Sequence, residues 1–310
     1  MSDKAGKQQA ATESPTRGPR VWLDMDQKQL DDAYDQRVYA PNQPLLGIRR
    51  QAASAAALRR LTPARLAYGP TEVEKLDVYK TQFDPAPIEI YIHGGAWRHG
   101  SARDFAFQAE MITDMGAHFV VPDFVQVGDA EGSLIPMAAQ VRRAVAWVYE
   151  NGTTFGGDPE RIYICGHSSG AHLAGVALVT DWQADFGIPQ DVIKGAVLVS
   201  GMYDLEAVRR SKRSEYVMFT DEMEEALSTQ RHLQKIQAPV VVAHGTEETP
   251  EFQRQARDFA AALKKAGKRV DLVVGEALNH FEMQETFGNP YGLAGRAVLK
   301  QLKLRAGSFR

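Results

Sequence analysis

The segment Arg161-Ile-Tyr-Ile-Cys-Gly-His-Ser-Ser-Gly170 constrains the fold more than any other stretch of this 310-residue chain. An apolar, β-branched run leads into Gly-x-Ser-x-Gly, and a helical pattern of Leu173, Val176, Ala177 and Val179 follows. A serine can project from so sharp a strand-to-helix turn only if the positions two before and two after it carry no side chain. Gly166 and Gly170 meet that requirement.

Around this turn the hydrophobic pattern alternates between short β-rich runs and helical stretches. Runs at Leu66–Tyr68, Leu76–Tyr79, Ile88–Ile92, Phe119–Val121, Arg161–Cys165, Ala196–Ser200, Val240–Ala243 and Val270–Val274 predict eight strands. Met137, Val141, Val145 and Val148 share one helix face, so crossover connections are expected. The predicted class is α/β, with a mostly parallel sheet covered by helices on both faces. Residues 1–20 are polar and proline-containing and read as a disordered tail, and residues 21–310 read as a single domain. Leu30, Tyr34 and Val38, then Leu46, Ala53, Ala57 and Leu61, predict a helical N-terminal extension over residues 24–62. The connection between Ser200 and Pro239 is too long for an ordinary loop. Residues 205–237 are expected either to cap a site or to form a crossover helix with a long loop.

Composition removes several function classes. With 44% hydrophobic residues, 24% charged and a net charge of −3, the chain is neither an acidic disordered polymer nor a strongly basic nucleic-acid binder. Its one cysteine excludes an internal disulfide framework and any all-cysteine zinc site. There is no apolar run of membrane-spanning length, and Met1–Arg20 lacks the apolar stretch of a signal peptide, so a cytoplasmic location is expected. No metal cluster and no dinucleotide fingerprint is present, and no cofactor or metal is expected.

The chemistry-bearing residues fall at strand ends. Ser168 is read as a nucleophile. His93-Gly94-Gly95-Ala96-Trp97 follows the third predicted strand, where a glycine pair lets backbone amides approach a developing oxyanion. Gly95, Ala96 and Ser169 are the expected donors, although the two peptides that donate within 94–96 stay open. A base should come last in the chain, beyond the final strand, which selects His280 from eight histidines. The orienting acid is expected after Val240–Ala243, at Glu248, with Asp204 as a competitor. Trp97 is expected against substrate. Tyr203, Tyr216 and Phe219, from the long connection, read slightly better as core, and Cys165 reads as a small buried hydrophobe.

With these residues in place, the chain resembles the α/β-hydrolase superfamily over roughly residues 65–305, and within it the arylformamidase (kynurenine formamidase) branch near the hormone-sensitive-lipase relatives. The likeness rests on His93-Gly94-Gly95-x-Trp97, Gly156-Gly157-Asp158-Pro159, Gly166-His167-Ser168-Ser169-Gly170-Ala171-His172-Leu173 and Glu248-Thr249-Pro250-Glu251-Phe252. Glu248 stands where that family usually carries aspartate, and Ser169 replaces a frequent alanine. The resemblance implies a cofactor-free serine hydrolase that cleaves a small acyl, formyl-like amide or ester of an aromatic small molecule. The alternatives are a carboxylesterase or carbamate hydrolase of the same fold and a non-catalytic small-ligand receptor. No nucleic-acid or membrane partner is expected, and a homodimer is left open.

Overall fold

The computed structural model describes residues 18–304. Most of the expected tail, residues 1–17, lies outside the described residues. The remainder of that tail is not all irregular, because Arg20 opens a small hairpin formed by β1 (Arg20–Trp22) and β2 (Met25–Asp26).

The N-terminal segment continues into α1 (Gln27–Ala33) and α2 (Gln43–Arg60). Asp26 caps α1, accepting the Gln29 amide while the Gln29 side chain accepts the Asp26 amide. The predicted Leu30, Tyr34, Val38 face breaks after Tyr34. Val38 falls in a separate 3-10 turn and is 54% exposed.

The main sheet has eight strands: β3 (Ala64–Ala67), β4 (Lys75–Tyr79), β5 (Ala86–Ile92), β6 (His118–Pro122), β7 (Gly157–His167), β8 (Ile193–Val199), β9 (Val240–Gly245) and β10 (Val270–Gly275). Their order is β10-β9-β8-β7-β5-β6-β4-β3. From β6 to β10 every pairing is parallel, and only β3 and β4 run antiparallel to their neighbours. The eight-stranded, mostly parallel sheet expected from the hydrophobic pattern is present, as the α/β-hydrolase resemblance also implies.

Parallel neighbours need crossover helices, and these cover both faces. The helices are α3 (Ala109–Asp114), α4 (Ile135–Asn151), α5 (Ser169–Leu178), α6 (Trp182–Phe186), α7 (Glu206–Arg210), α8 (Asp221–Leu227), α9 (Pro250–Lys265), α10 (His280–Glu285) and α11 (Leu293–Gln301). Residues of α4, α5 and α9 pack with Ile88, Ile90, Ile162 and Ile164 on one face, where Met137, Val141, Val145 and Val148 are all buried as predicted. Residues of α3, α10 and α11 pack with Tyr91, Phe119 and Tyr163 on the other. The N-terminal segment belongs to both layers: Leu30 and Tyr34 join the first and Ala57 the second. Among the described residues no helix is long and apolar enough to cross a membrane.

One core position runs against this apolar packing. Glu89, in the middle of β5, is 1% exposed, and its carboxyl meets no cation and no donor stronger than the Cys165 thiol among the described residues. Burial pushes its pKa up to about 8, so the side chain is held as a neutral acid at pH 7. The fold therefore keeps a proton that the unfolded chain, with an ordinary glutamate near 4.5, releases. The stability tied to that proton is complete below pH 4.5 and is lost as pH rises towards 8. The Glu89→Met variant is expected to flatten this decline, so that its advantage in denaturant midpoint over wild type grows between pH 5 and pH 8; an advantage that stays constant with pH would contradict the neutral-acid assignment.

Candidate active site

β7 ends at His167, α5 begins at Ser169, and Ser168 between them takes φ 58°, ψ −127°. A residue with a side chain occupies that region only where its surroundings enforce it. Here the Ser168 amide donates to the Val199 carbonyl at 2.9 Å and its carbonyl accepts from His172 at 3.2 Å. Contact explains the flanking glycines. A Cβ on Gly166 would stand 2.6 Å from the Gly170 carbonyl oxygen, and one on Gly170 would stand 2.0 Å from that of Ile92.

The turn after β5 is strained in a complementary way. Gly95, Ala96 and Trp97 have φ of 132°, 55° and 63° in succession, a left-handed path that only glycine adopts without strain. The Trp97 amide is taken by Ser169 Oγ at 3.2 Å. The amides of Gly95 and Ala96 donate to nothing among the described residues. Ser169, as the first residue of α5, also has an N–H without an intrahelical acceptor. Gly94, in the stretch where the donors are left open, likewise has no acceptor among the described residues.

His280 opens α10 behind Asn279, which caps the helix by accepting the Phe281 and Glu282 amides at 3.0 and 3.1 Å. His280 Nδ1 donates to Glu248 Oε2 at 2.8 Å. Glu248 Oε1 accepts the Ser200 hydroxyl at 2.6 Å and the Gly245 amide at 2.7 Å, and the carboxyl is 1% exposed. Burial pushes this carboxyl up, while Ser200 and Gly245 pull it down. Burial, reinforced by the positive charge of Arg213, lowers the His280 pKa to about 3. The imidazole is neutral at pH 7, with its proton on the nitrogen that faces Glu248 and a lone pair on Nε2.

Ser168, Gly94, Gly95, Ala96, His167 and His280 line one cavity of about 420 Å³. The structure places Glu248 against His280. Asp204 instead caps the turn at Glu206 and pairs with Arg231 at 3.1 Å. The other buried histidines have structural partners. His167 Nε2 donates to the His280 carbonyl at 2.9 Å, and His172 Nε2 donates to that of Leu227 at 3.0 Å while its Nδ1 accepts the Trp97 indole at 3.3 Å. His93 stacks between Phe105 and Phe124, with ring centroids at 5.3 and 4.3 Å.

The aromatic expectations need correction. Trp97 is 2% exposed and does not line the cavity, because its positive φ turns the indole beneath α5 to His172. Tyr216, expected in the core, does line it, as do Tyr34, Phe105 and Phe281. Tyr203 is core, stacked on Phe259 at 4.1 Å, and Phe219 packs against the same core. The long connection carries α7, α8 and short 3-10 turns, and contributes Lys212, Arg213 and Tyr216 to the cavity wall. Among the described residues no group of histidine, cysteine or carboxylate side chains could hold a metal ion.

No motif in the sequence assigns the N-terminal segment to the site, yet it lines much of the cavity through Tyr34, Gln36, Arg37, Gln43, Arg50 and Gln51. It also clasps the elements that bear Glu248 and His280. Gln36 Nε2 donates to Thr249 Oγ1 at 3.4 Å, beside Glu248. Asn42 donates to Glu282 Oε1 and accepts from Asn279 Nδ2, both at 2.8 Å, so it holds both members of the capping box that starts α10. The polar spacing of Gln43, Arg50 and Gln51 along α2 is the available signal, but such a stripe usually faces solvent.

The chain is similar to proteins already known. The BD-FAE family matches residues 76–263. A kynurenine formamidase from Danio rerio is 30% identical, covering 91% of this chain and 98% of that protein. A kynurenine formamidase from Salmo salar is 35% identical over 72% of this chain and 76% of that protein. The propionate-bound structure of the Thermogutta terrifontis esterase Est2 superposes with a TM-score of 0.63 at 26% identity, covering 78% of this chain and 91% of that one.

The Asn42 clasp gives a direct test of how the site is positioned. Asn42→Ala removes both bonds to the capping box and leaves every cavity-lining side chain in place. It is expected to slow fluorophosphonate labelling of Ser168 by roughly ten- to a hundredfold, through misplacement of His280. Labelling at the wild-type rate, measured by mass spectrometry, would show that α10 is held without Asn42.

Proposed function

Because the chain belongs to the BD-FAE family and is an arylformamidase-like α/β-hydrolase, we propose that it cleaves a formyl-like amide or ester of an aromatic compound through an acyl-enzyme on Ser168. The observation that carries this reading is the buried Glu248–His280 pair, whose imidazole lines the same cavity as Ser168. Ser168 Oγ attacks the acyl carbon and passes its proton to His280 Nε2. Glu248 holds the imidazole in the tautomer that leaves Nε2 free and stabilises the imidazolium once it forms. The amides of Gly95, Ala96 and Ser169 stabilise the charge that grows on the carbonyl oxygen. His280 then returns the proton to the departing aryl amine or phenol, and water, deprotonated by the same imidazole, releases the acid and frees Ser168.

The near-full-length likeness to the Danio rerio protein supports a formamide over a longer acyl amide. The esterase relatives and the Est2 structure keep aryl esters as the second reading. kcat/KM on aryl formamides, acetanilides and aryl acetates separates the two. The formamide is expected to lead, and an acetate preferred throughout would replace the formamidase reading with a carboxylesterase. In Ser168→Ala, turnover and fluorophosphonate labelling should both disappear, and labelling that survives would overturn the nucleophile assignment.

The pH profile follows from the state of His280. Only the neutral imidazole can take the serine proton, so kcat/KM falls as pH drops through the His280 pKa. That value is lowered from 6.5 to about 3, and the acid limb on an uncharged substrate is therefore expected well below pH 6.5. A limb at or above the ordinary histidine value would contradict the buried, neutral base.

A further inference from the structure

Ser200 follows the last residue of β8 and takes φ 56°, in the left-handed region that a residue with a side chain disfavours. The next residue is glycine, which accepts such a φ without strain, yet Gly201 lies outside that region. A Cβ on Gly201 would stand 2.6 Å from the Tyr203 ring, so the glycine is required where it is for lack of space. The chain therefore carries a side chain at the strained position of the pair. Such an outlier points to something that the side chain does.

Ser200 is fully buried, and its hydroxyl donates to Glu248 Oε1 at 2.6 Å. The Gly245 amide shares that oxygen at 2.7 Å, while Oε2 is left to His280 Nδ1 at 2.8 Å. Glutamate is one methylene longer than aspartate, and its terminal torsion is broad and two-fold. A carboxylate on so long a stem meets an imidazole in one orientation only if its other oxygen is held. The two donors on Oε1 hold it from different places. Gly245 ends the strand that leads into the Glu248 loop, three residues earlier, and moves with that loop. Ser200 stands on the neighbouring strand, beside the Val199 carbonyl that takes the Ser168 amide. Only the hydroxyl refers the carboxylate to the frame that carries Ser168.

We propose that Ser200 is a positioning residue for the reaction: by holding Glu248 Oε1 from the end of β8 it fixes how Oε2 meets His280, and so acts on the proton transfer at Ser168. The inference rests on the serine-hydrolase reading above and adds a member to the machinery which that reading needs. Ser200 does not line the cavity, so it acts through Glu248 and not on substrate.

The hydroxyl also bears on charge, because an O–H that donates to a carboxylate favours its ionised form. The titratable groups around Glu248 are His280 from α10, His167 from the end of β7, His244 from the end of β9 and Tyr203 from the loop after β8. Arg213, from the turn after α7, acts on His280. Burial works against the Glu248 carboxylate, and the Ser200 hydroxyl is the largest influence that opposes it. Without that hydroxyl the Glu248–His280 pair takes up a proton at higher pH. Since that proton disables the pair, the acid limb of kcat/KM moves up.

The test compares S200A with S200G. Both remove the hydroxyl, but S200G also accepts the left-handed φ, so it separates the hydroxyl from the backbone. On whichever of an aryl formamide and an aryl acetate wild type cleaves faster, each variant is expected to lower kcat by about ten- to a hundredfold, with KM held within about twofold. The acid limb of kcat/KM should lie at higher pH in both variants than in wild type. A residue that acts through Glu248 has little left to do once that carboxylate is gone, so adding S200G to E248Q should slow fluorophosphonate labelling by less than about threefold further. S200G with the wild-type kcat and acid limb overturns the proposal. A loss in S200G that is undiminished in E248Q overturns it too, since Ser200 would then act by a route other than Glu248. Should S200A fail to fold, S200G, which suits the backbone, decides alone. If wild type neither turns over nor takes the fluorophosphonate, the hydrolase reading itself falls, and proton NMR still decides on Ser200. The far-downfield resonance of the His280 Nδ1 proton, identified by its loss in H280Q, should move or broaden in S200G, and a resonance that the substitution leaves unchanged refutes the role of Ser200.

Discussion

A single buried carboxylate ties together the parts of the molecule that must not move relative to one another. Glu248 takes the Ser200 hydroxyl and the Gly245 amide on one oxygen and His280 on the other, so the ends of β8 and β9 and the start of α10 meet on one side chain. Each donor comes from a different element, and each points at a group 1% exposed, where a polar contact is stronger than in water and an empty one more unfavourable. The serine is attached to the same frame through the sheet. Its amide donates to Val199, one residue before Ser200, and the Ser200 amide donates to Ala243 in the next strand. The relation between Ser168 and His280 is therefore set by strand register, and Glu248 carries that register into α10.

The N-terminal segment extends this frame from outside. Tyr34 donates to Glu251, which is itself paired with Arg254, and accepts from Gln255; Gln36 reaches Thr249; Asn42 holds Asn279 and Glu282; Arg50 holds Gln284. These anchors fall near Glu248 or His280 and none on them, while Lys212, Arg213 and Asp104 hold the same segment elsewhere. Such an arrangement fixes both loops and leaves the reacting atoms free to exchange partners during a reaction. It also explains how a segment outside the α/β repeat can form the cavity wall without contributing a strand to the main sheet.

The parts legible in the sequence are those governed by local rules. The strands follow from short apolar runs, and the place of Ser168 from the sterics of two glycines. Glu248 and His280 follow from chain order, because parallel strands bring all their carboxyl ends to one edge. What escapes the sequence depends on contacts between residues far apart in it. Trp97 reads as a ligand contact because it follows the amide turn, but its fate is decided by His172 on α5. Tyr216 and Arg213 lie in a connection whose apolar spacing fits core packing equally well, and only the cavity shows which way they face. Ser200 carries no signal, since its role depends on a left-handed φ of 56° that no neighbouring residue demands.

That φ belongs to a pattern. Ala96, Trp97, Ser168 and Ser200 all adopt left-handed φ without being glycine, and all four lie at strand ends around one cavity or its supporting carboxylate. Such conformations are each disfavoured by about 1–3 kcal/mol, and they persist only where the surrounding structure over-determines them. Here the over-determination is visible: strand register fixes Ser168 and Ser200, and the bond from Trp97 to Ser169 fixes the amide turn. The strain leaves the amides of Gly95 and Ala96 without partners among the described residues, beside the first N–H of α5 at Ser169. In the reaction we propose, an oxygen that becomes negative would give those amides the acceptor that the resting fold denies them, so the same distortion that disfavours the empty site would favour the charged intermediate.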